Sequence, residues 1–446
     1  MQTKDMTTGS PAGLILRFAL PLMLGNVFQQ FYTFVDTMVV GQALGVKALA
    51  ALGAAEWLTF LMFGLVQGLV QGFSLVMARQ FGAGDDKGLK KAVAGAVWLS
   101  LGAAVLFTAL GQLMLRPVLL LLRTPAEIID LTLIYLRILY ASLPVAFAYN
   151  LLAALLRALG NSKTPLQAMT LSSFCNIALD LLFVFGFGWG IQGAAAATVL
   201  AQLLAACFCF VKLRGSGLFS LGNKEYYPDR DVIKEQLKLG LPMAFQNAII
   251  AVGGMIVQFV VNGFGVLFIA GFTATNKLYG ILEVAATSYG YAMVTYVGQN
   301  LGAKKIDRIS KGMRSALIVA MVTSAVIAAA MLLFGKAILG CFISGAPENV
   351  TATLGIAYHY LAIMSVFLPI LYVLHVTRSA LQGMGDTILP MASGIAEFIM
   401  RTGSAILLPL LLGEEGIFYA EILAWAGADV ILVTSYYFRM KKLRAL

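Results

Sequence analysis

Two carboxylates, an amide and a hydroxyl stand in stretches that are otherwise apolar. Asp36 lies inside the run 18–40, Asn176 and Asp180 inside 166–187, and Thr198 inside 191–212. An ionisable group in such a run costs several kcal/mol if the run crosses a bilayer, unless it is paired, hydrated or neutralised. At about 1.5 Å of helical rise per residue, Asp36 sits about 7–8 Å below the outer end of its run at Gly41. Asp180 sits about 10 Å below Phe187, and Thr198 about 10 Å below Ile191. Asn176 precedes Asp180 by four and shares its helix face. The four side chains therefore fall at one depth on three helices. Oxygen ligands without nitrogen or sulfur suit a hard cation such as Na⁺. Two neighbouring carboxylates in a low dielectric can equally share a proton, because both cannot comfortably ionise. Either chemistry makes a coupling site for Na⁺ or H⁺, and the plainer alternative is a structural hydrogen-bond cluster.

A second set is mixed in sign: Lys277 and Glu283 in the run 269–297, Glu397 and Arg401 in 388–411. Glu397 and Arg401 are four apart and can pair on one helix face. Two acids and two bases can neutralise one another, which favours a structural network over a second ion site. Arg137 lies seven residues after Asp130 and is expected to pair with it or to snorkel. Tyr, Phe and Met residues in the runs could line a greasy cavity or simply pack the core.

Other chemistries are excluded. Cys175, Cys207, Cys209 and Cys341 all sit in apolar surroundings with no CxxC, and His359 and His375 are too few for a transition-metal cage. No metal beyond Na⁺ and no cofactor is expected. There is no GxxxxGK[ST], HExxH or GxSxG, so a membrane-embedded enzyme lacks its machinery. The one GxGxxG, Gly188–Gly193, follows an apolar helix rather than a strand and reads as a tight turn. Gly64, Gly68 and Gly72 form a ladder suited to close helix packing.

These residues need helices to hold them. Of 446 residues, 60% are hydrophobic and only 12% charged, against roughly 25% charged in soluble proteins. Twelve runs are long enough to cross a bilayer: 18–40, 54–78, 93–115, 128–150, 166–187, 191–212, 240–262, 269–297, 315–340, 352–376, 388–411 and 416–438. A β-barrel would show short alternating segments instead. The fold class is an all-α membrane protein of twelve transmembrane helices. Of 31 Lys and Arg residues, 24 fall in segments on one side, four on the other (Lys47, Arg116, Arg123, Lys336) and three within runs (Arg137, Lys277, Arg401). That bias places both termini in the cytoplasm, and it accounts for the net charge of +10 without nucleic acid. Residues 1–10 are short and polar and carry no sign of a removable signal peptide.

The chain repeats itself. Leu16-Arg17-Phe18-Ala19-Leu20-Pro21 is echoed by Leu237-Lys238-Leu239-Gly240-Leu241-Pro242, and Gln80-Phe81-Gly82-Ala83 by Asn300-Leu301-Gly302-Ala303. Gly160-Asn161-Ser162-Lys163-Thr164-Pro165 returns as Gly385-Asp386-Thr387-Ile388-Leu389-Pro390. Three landmarks in one order indicate a duplicated six-helix unit. Six is even, so both copies enter from the same side, related by a pseudo-twofold along the membrane normal with a cavity between them. The expected lobes are 1–212 and 239–446. A cytoplasmic linker, 213–238, carries Tyr226-Tyr227-Pro228-Asp229 and a charged segment that could form a short surface helix.

With these residues in place, the chain resembles the multidrug and toxic compound extrusion (MATE) family of cation-coupled antiporters across essentially all twelve runs. The marks are Pro21-Leu22-Met23, Asp36-Thr37, Gln80-Phe81-Gly82-Ala83-Gly84, Gly160–Pro165, Asn176-Ile177-Ala178-Leu179-Asp180 and Gln299–Ala303. The resemblance implies an exporter in the cell membrane that exchanges small, often cationic or aromatic compounds for Na⁺ or H⁺ by alternating access, acting as a monomer. It implies that Asp36, Asn176, Asp180 and Thr198 match the N-terminal-half ion site of one branch, and that Pro21 matches the proline where the first helix bends. Another branch carries a Glu on span seven and an Asp on span ten. Residues 240–262 and 352–376 here contain no acid, so coupling is assigned to the N-terminal half. A lipid-linked precursor or polysaccharide flippase of the same superfamily would share the architecture, but its cavity is strongly cationic. A membrane enzyme or a receptor ranks lower.

Overall fold

A computed structural model of the chain describes residues 5–122, 124–215, 227, 229–341, 343 and 347–444. Arg123 and, within the linker stretch, residues 216–226 and Pro228 lie outside the described residues. Long apolar runs can satisfy their backbone in lipid only as helices, and thirteen α-helices account for nearly all of the described chain. They are α1 Pro11–Leu44, α2 Val46–Ala83, α3 Asp86–Leu121, α4 Ala126–Ala141, α5 Leu143–Ala158, α6 Lys163–Asp180 and α7 Ile191–Arg214. There follow α8 Arg230–Val261, α9 Val266–Gly302, α10 Ile306–Gly340, α11 Pro347–Gly383, α12 Ile388–Leu412 and α13 Ala420–Arg444.

Ten segments are long and apolar enough to span a bilayer by themselves. An eleventh span is the pair α4–α5, bent by 48° at its break. The run 128–150 is thus two helices rather than one, and the cause is in the sequence. Pro144 has no N–H to give to the carbonyl four residues earlier. That carbonyl, on Tyr140, accepts instead from the Thr108 hydroxyl at 3.2 Å. α9 has 37 residues, ample length to cross, but it is not among these apolar segments; it carries Lys277 and Glu283.

Several helices run beyond their apolar core. The charged stretch Arg230–Lys238 is the first part of α8, not a separate surface helix. α6 passes directly into a π-helical segment, Leu181–Gly186. The GxGxxG that follows is a turn, with Gly188 and Gly190 at φ of 66° and 63°, a region open to glycine without steric cost.

The chain divides into two units: Leu20–Ala244 with Asp5, and Met6–Ala19 with the residues from Phe245 onward. The division falls within α1 beside Pro21 and within α8 beside Pro242. Each unit uses the repeated landmarks in the same way. Asn161 Oδ1 accepts the Thr164 amide at 3.0 Å, and Asp386 Oδ1 accepts the Leu389 amide at 3.3 Å. Each thereby ties down one of the free donors at the start of the helix that follows. The buried Tyr140 hydroxyl donates to Leu58 O in the first unit at 2.9 Å, and that of Tyr372 donates to Leu282 O in the second at 3.0 Å.

The second unit also fastens the start of the chain. The Met6 amide donates to Gln299 Oε1 at 2.8 Å, and Asn300 Nδ2 donates to Met6 O at 3.1 Å. Lys305 Nζ reaches Thr7 O at 3.0 Å, and Arg308 Nη2 reaches Gly9 O at 3.0 Å. Met6, Gln299 and Asn300 are fully buried. In the first unit the corresponding turn holds the start of α8, through Arg79–Glu235 at 2.6 Å, Lys91–Asp229 at 2.9 Å and Gln236 Nε2 donating to Ala92 O at 2.7 Å.

The glycine ladder of α2 packs against this same part of α8. A methyl at Gly72 would collide with the backbone of Gly240, and one at Gly68 with that of Ala244. Backbone cannot yield as a side-chain tip can, and overpacking costs about 1–3 kcal/mol. Gly72→Ala is therefore expected to lower the apparent melting temperature of the purified protein. Unchanged melting would show that this helix contact is not close in solution.

Candidate functional site

In the first unit α1, α6 and α7 bring together Asp36, Asn176, Asp180 and Thr198, the four residues singled out from sequence. Asp36 is 8% exposed, Asn176 1% and Asp180 0%. The carboxyl groups of Asp36 and Asp180 are within direct interaction distance of each other. Asn176 Nδ2 points to Thr198 Oγ1 at 3.5 Å, and the Thr198 hydroxyl itself donates to Ala194 O at 3.2 Å. Among the described residues four acceptor oxygens find no donor: Asp36 Oδ1, Asn176 Oδ1 and both oxygens of Asp180.

Buried acceptors without donors are expensive, and four in one place call for something positive. Among the described residues no Lys, Arg or His pairs with either carboxylate, and no three His, Cys, Asp or Glu side chains gather as a multivalent metal site would require. Oxygens of this kind can accept a small hard cation, and the carboxylates can share a proton.

The surroundings are tyrosine and hydrocarbon. Tyr32, one turn before Asp36, and Tyr135 on α4 lie within electrostatic range of both carboxyl groups. One turn further along the same three helices an apolar layer closes the site. Val40 follows Asp36 by four, Val184 follows Asp180 by four and Ala194 precedes Thr198 by four, and these pack with Val39 and Ala48. Val184 belongs to the π-helical segment, which begins at the residue after Asp180. Such segments recur at functional sites because they re-aim the side chains beside them. Pro21 lies in α1, and its missing N–H leaves the Arg17 carbonyl without a helical partner.

The second unit handles its charges differently. Glu397 is gripped by two guanidinium groups, Arg378 at 2.7 Å and Arg401 at 2.8 Å, and Arg401 also holds Glu421 at 2.7 Å. Within this chain two negative charges meet two positive ones. Asp429 stands beside Arg378 and Glu397, and Glu283 meets His375 at 3.3 Å. Lys277 is exposed and is not drawn into the network. Arg137 is exposed as well, with no ion pair to Asp130 among the described residues; its carbonyl accepts from Gln112 at 2.7 Å.

Some of these partners escape a sequence reading. Arg378 lies two residues past the apolar run 352–376, in a stretch that reads as an extramembrane turn, but α11 continues to Gly383 and buries it. Glu421 and Asp429 stand in the run 416–438, where their acidity is the only signal.

The chain resembles known proteins throughout. A family model described as MatE matches residues 21–182 and 242–406. "Probable multidrug resistance protein YpnP" of Bacillus subtilis (strain 168) is 30% identical over 94% of this chain and 93% of its own length. "Multidrug export protein MepA" of Staphylococcus saprophyticus is 21% identical over 92% of this chain and 89% of its own. A solved structure described as the outward-facing conformation of a multidrug resistance MATE family transporter of the MOP superfamily superposes with a TM-score of 0.92. It is 22% identical and covers 100% of this chain and 99% of that one. One matched segment falls in each half of an all-helical, multi-pass membrane chain, and on that ground the chain belongs to the MATE family of multidrug-efflux transporters and is not an enzyme.

Proposed function

We propose that the chain is a cation-coupled antiporter of the cell membrane, with both termini cytoplasmic. It exports small, often cationic or aromatic compounds as a single chain and draws its work from inward-moving Na⁺ or H⁺. The observation that supports this reading is the imbalance between the units. Glu397 and Glu421 of the second unit are matched by arginine, whereas among the described residues Asp36 and Asp180 have no basic partner.

An unmatched buried pair is tolerable only while something positive neutralises it or water reaches it. When the pair is charged, the conformation that admits water from outside is favoured, and this conformation holds substrate. Entry of a cation or proton neutralises the pair and removes the penalty for a dry site. The apolar layer of Val40, Val184 and Ala194 can then close over it, and substrate is released. The ion shifts the equilibrium only by its differential affinity for the two conformations. Pro21 supplies the flexible point in α1, since its freed carbonyl can be satisfied differently in each state.

The test is dye efflux from loaded vesicles under an imposed Na⁺ gradient and then an imposed proton gradient. One gradient is expected to accelerate efflux by at least about tenfold, which corresponds to roughly 1.4 kcal/mol. Efflux indifferent to both gradients would refute cation coupling.

A further inference from the structure

The second unit carries a cavity that the transport reading does not use. It lies between the start of α10 and the end of α13, and its volume is about 480 Å³. Its walls present three cations, Arg314, Lys441 and Arg444, and no carboxylate. Neither Arg314 nor Lys441 has an ion-pair partner among the described residues. Arg444 is held by the neutral Ser310, to which its Nη2 donates at 2.7 Å. The Tyr436 hydroxyl also meets Ser310, and Tyr437 is exposed at the rim. The floor is apolar, formed by Leu317 with the buried Met313 and Met440.

The two helices pack only loosely, so the wedge between them is not filled by protein. Above the cavity both helices turn large apolar side chains outward: Ile318 and Val322 on α10, Val430 and Val433 on α13. A ligand that suits this place has a compact negative head for the cations and the hydroxyls, and hydrocarbon that continues along the outer faces of the helices. Tyrosine at such a level is the usual residue of the membrane–water boundary. Basic pockets between transmembrane helices at that boundary can hold anionic head groups.

We infer that the α10–α13 cleft is a binding site for the head group of an anionic phospholipid, with Arg314, Lys441 and Arg444 as its phosphate-recognising residues. With the termini cytoplasmic, as proposed above, the lipid comes from the inner leaflet. The site is remote in sequence from Asp36 and Asp180, and its test involves neither transport nor orientation.

The experiment uses the full chain, purified in detergent and stripped of lipid, and measures binding and thermal protection. The probes are phosphatidylglycerol, phosphatidylcholine and inorganic phosphate. Each basic side chain at an anionic surface contributes about fivefold to partitioning. The triple variant Arg314→Gln/Lys441→Gln/Arg444→Gln should therefore bind phosphatidylglycerol on the order of a hundredfold more weakly than wild type. Arg444→Lys should retain most of the affinity and confirm that the cleft still folds. A variant that removes three exposed cations outside the lining, Lys87→Gln/Arg230→Gln/Lys234→Gln, should lose less than about threefold, since none of them lines the cleft.

Equal affinity for phosphatidylcholine, or an unaffected triple variant, would overturn the assignment. So would an equal loss in the control variant, which would reduce it to general surface charge. Equal protection by inorganic phosphate alone would replace the lipid with a soluble phosphate.

Discussion

Asp36→Asn is expected to reduce gradient-driven efflux on the order of a hundredfold while leaving the protein inserted, folded and no less stable than wild type. The amide matches the carboxyl in shape but cannot gain or lose charge, so the pair retains a single titratable member. Moving a two-state equilibrium from 1:99 to 99:1 takes roughly 5.5 kcal/mol of differential binding. A site with only one ionisable member has much less to offer the incoming ion. Stability should not suffer, because Asp36 Oδ1 gives up no hydrogen bond in the folded protein. The measurements are dye efflux from vesicles and melting of the purified variant. Full ion-dependent efflux by Asp36→Asn would dispose of the proposed coupling site.

The second large effect is of the opposite kind. Glu397→Gln should destabilise the protein by about 3–5 kcal/mol, because breaking a buried ion pair leaves its partner's charge unmatched. Here one carboxylate serves two guanidinium groups, at 2.7 and 2.8 Å. At roughly 2–4 °C per kcal/mol for a unit of about 200 residues, the apparent melting temperature should fall on the order of 10 °C. Removing both charges of one pair, as in Arg378→Met/Glu397→Leu, should recover much of the loss, since well-packed apolar replacements of buried ion pairs are often neutral. Wild-type melting combined with abolished efflux in Glu397→Gln would instead mean that this network carries the coupling ion.

Much of the fold could be read from the chain because the physics of a bilayer leaves few choices. An apolar run of about 20 residues has to be a helix, and the repeated landmarks had mechanical reasons to persist. Asn161 and Asp386 each cap the next helix, and Pro21 and Pro242 each stand where a helix passes from one unit to the other. The four polar residues of the first unit were legible for the same reason: polarity in lipid has to be accounted for.

What remained hidden depends on contacts between distant segments. The residues at 5–9 read as a polar tail, because nothing in Met6 or Thr7 announces that Gln299, Asn300 and Lys305 will bond their backbone. Tyr135 reaches the acids only because α4 packs beside α2 and α7. The π-helical segment after Asp180 has no local signature, and its extra residue per turn follows from packing rather than composition. The break at Ser142 was within reach, since Pro144 stood in plain view inside the run 128–150.

The exchange of Met6–Ala19 into the unit built from the last two hundred residues bears on how the protein is made. Met6 and Thr7 leave the ribosome some three hundred positions ahead of the side chains that receive them, Gln299, Asn300 and Lys305, and until then their amides and carbonyls have only water or a chaperone for company. The two halves, cut at the linker and produced apart, would each lack a piece held by the other. Complementation would then require simultaneous synthesis, and a bulky insertion between Met6 and Gly9 should damage the second unit more than the first.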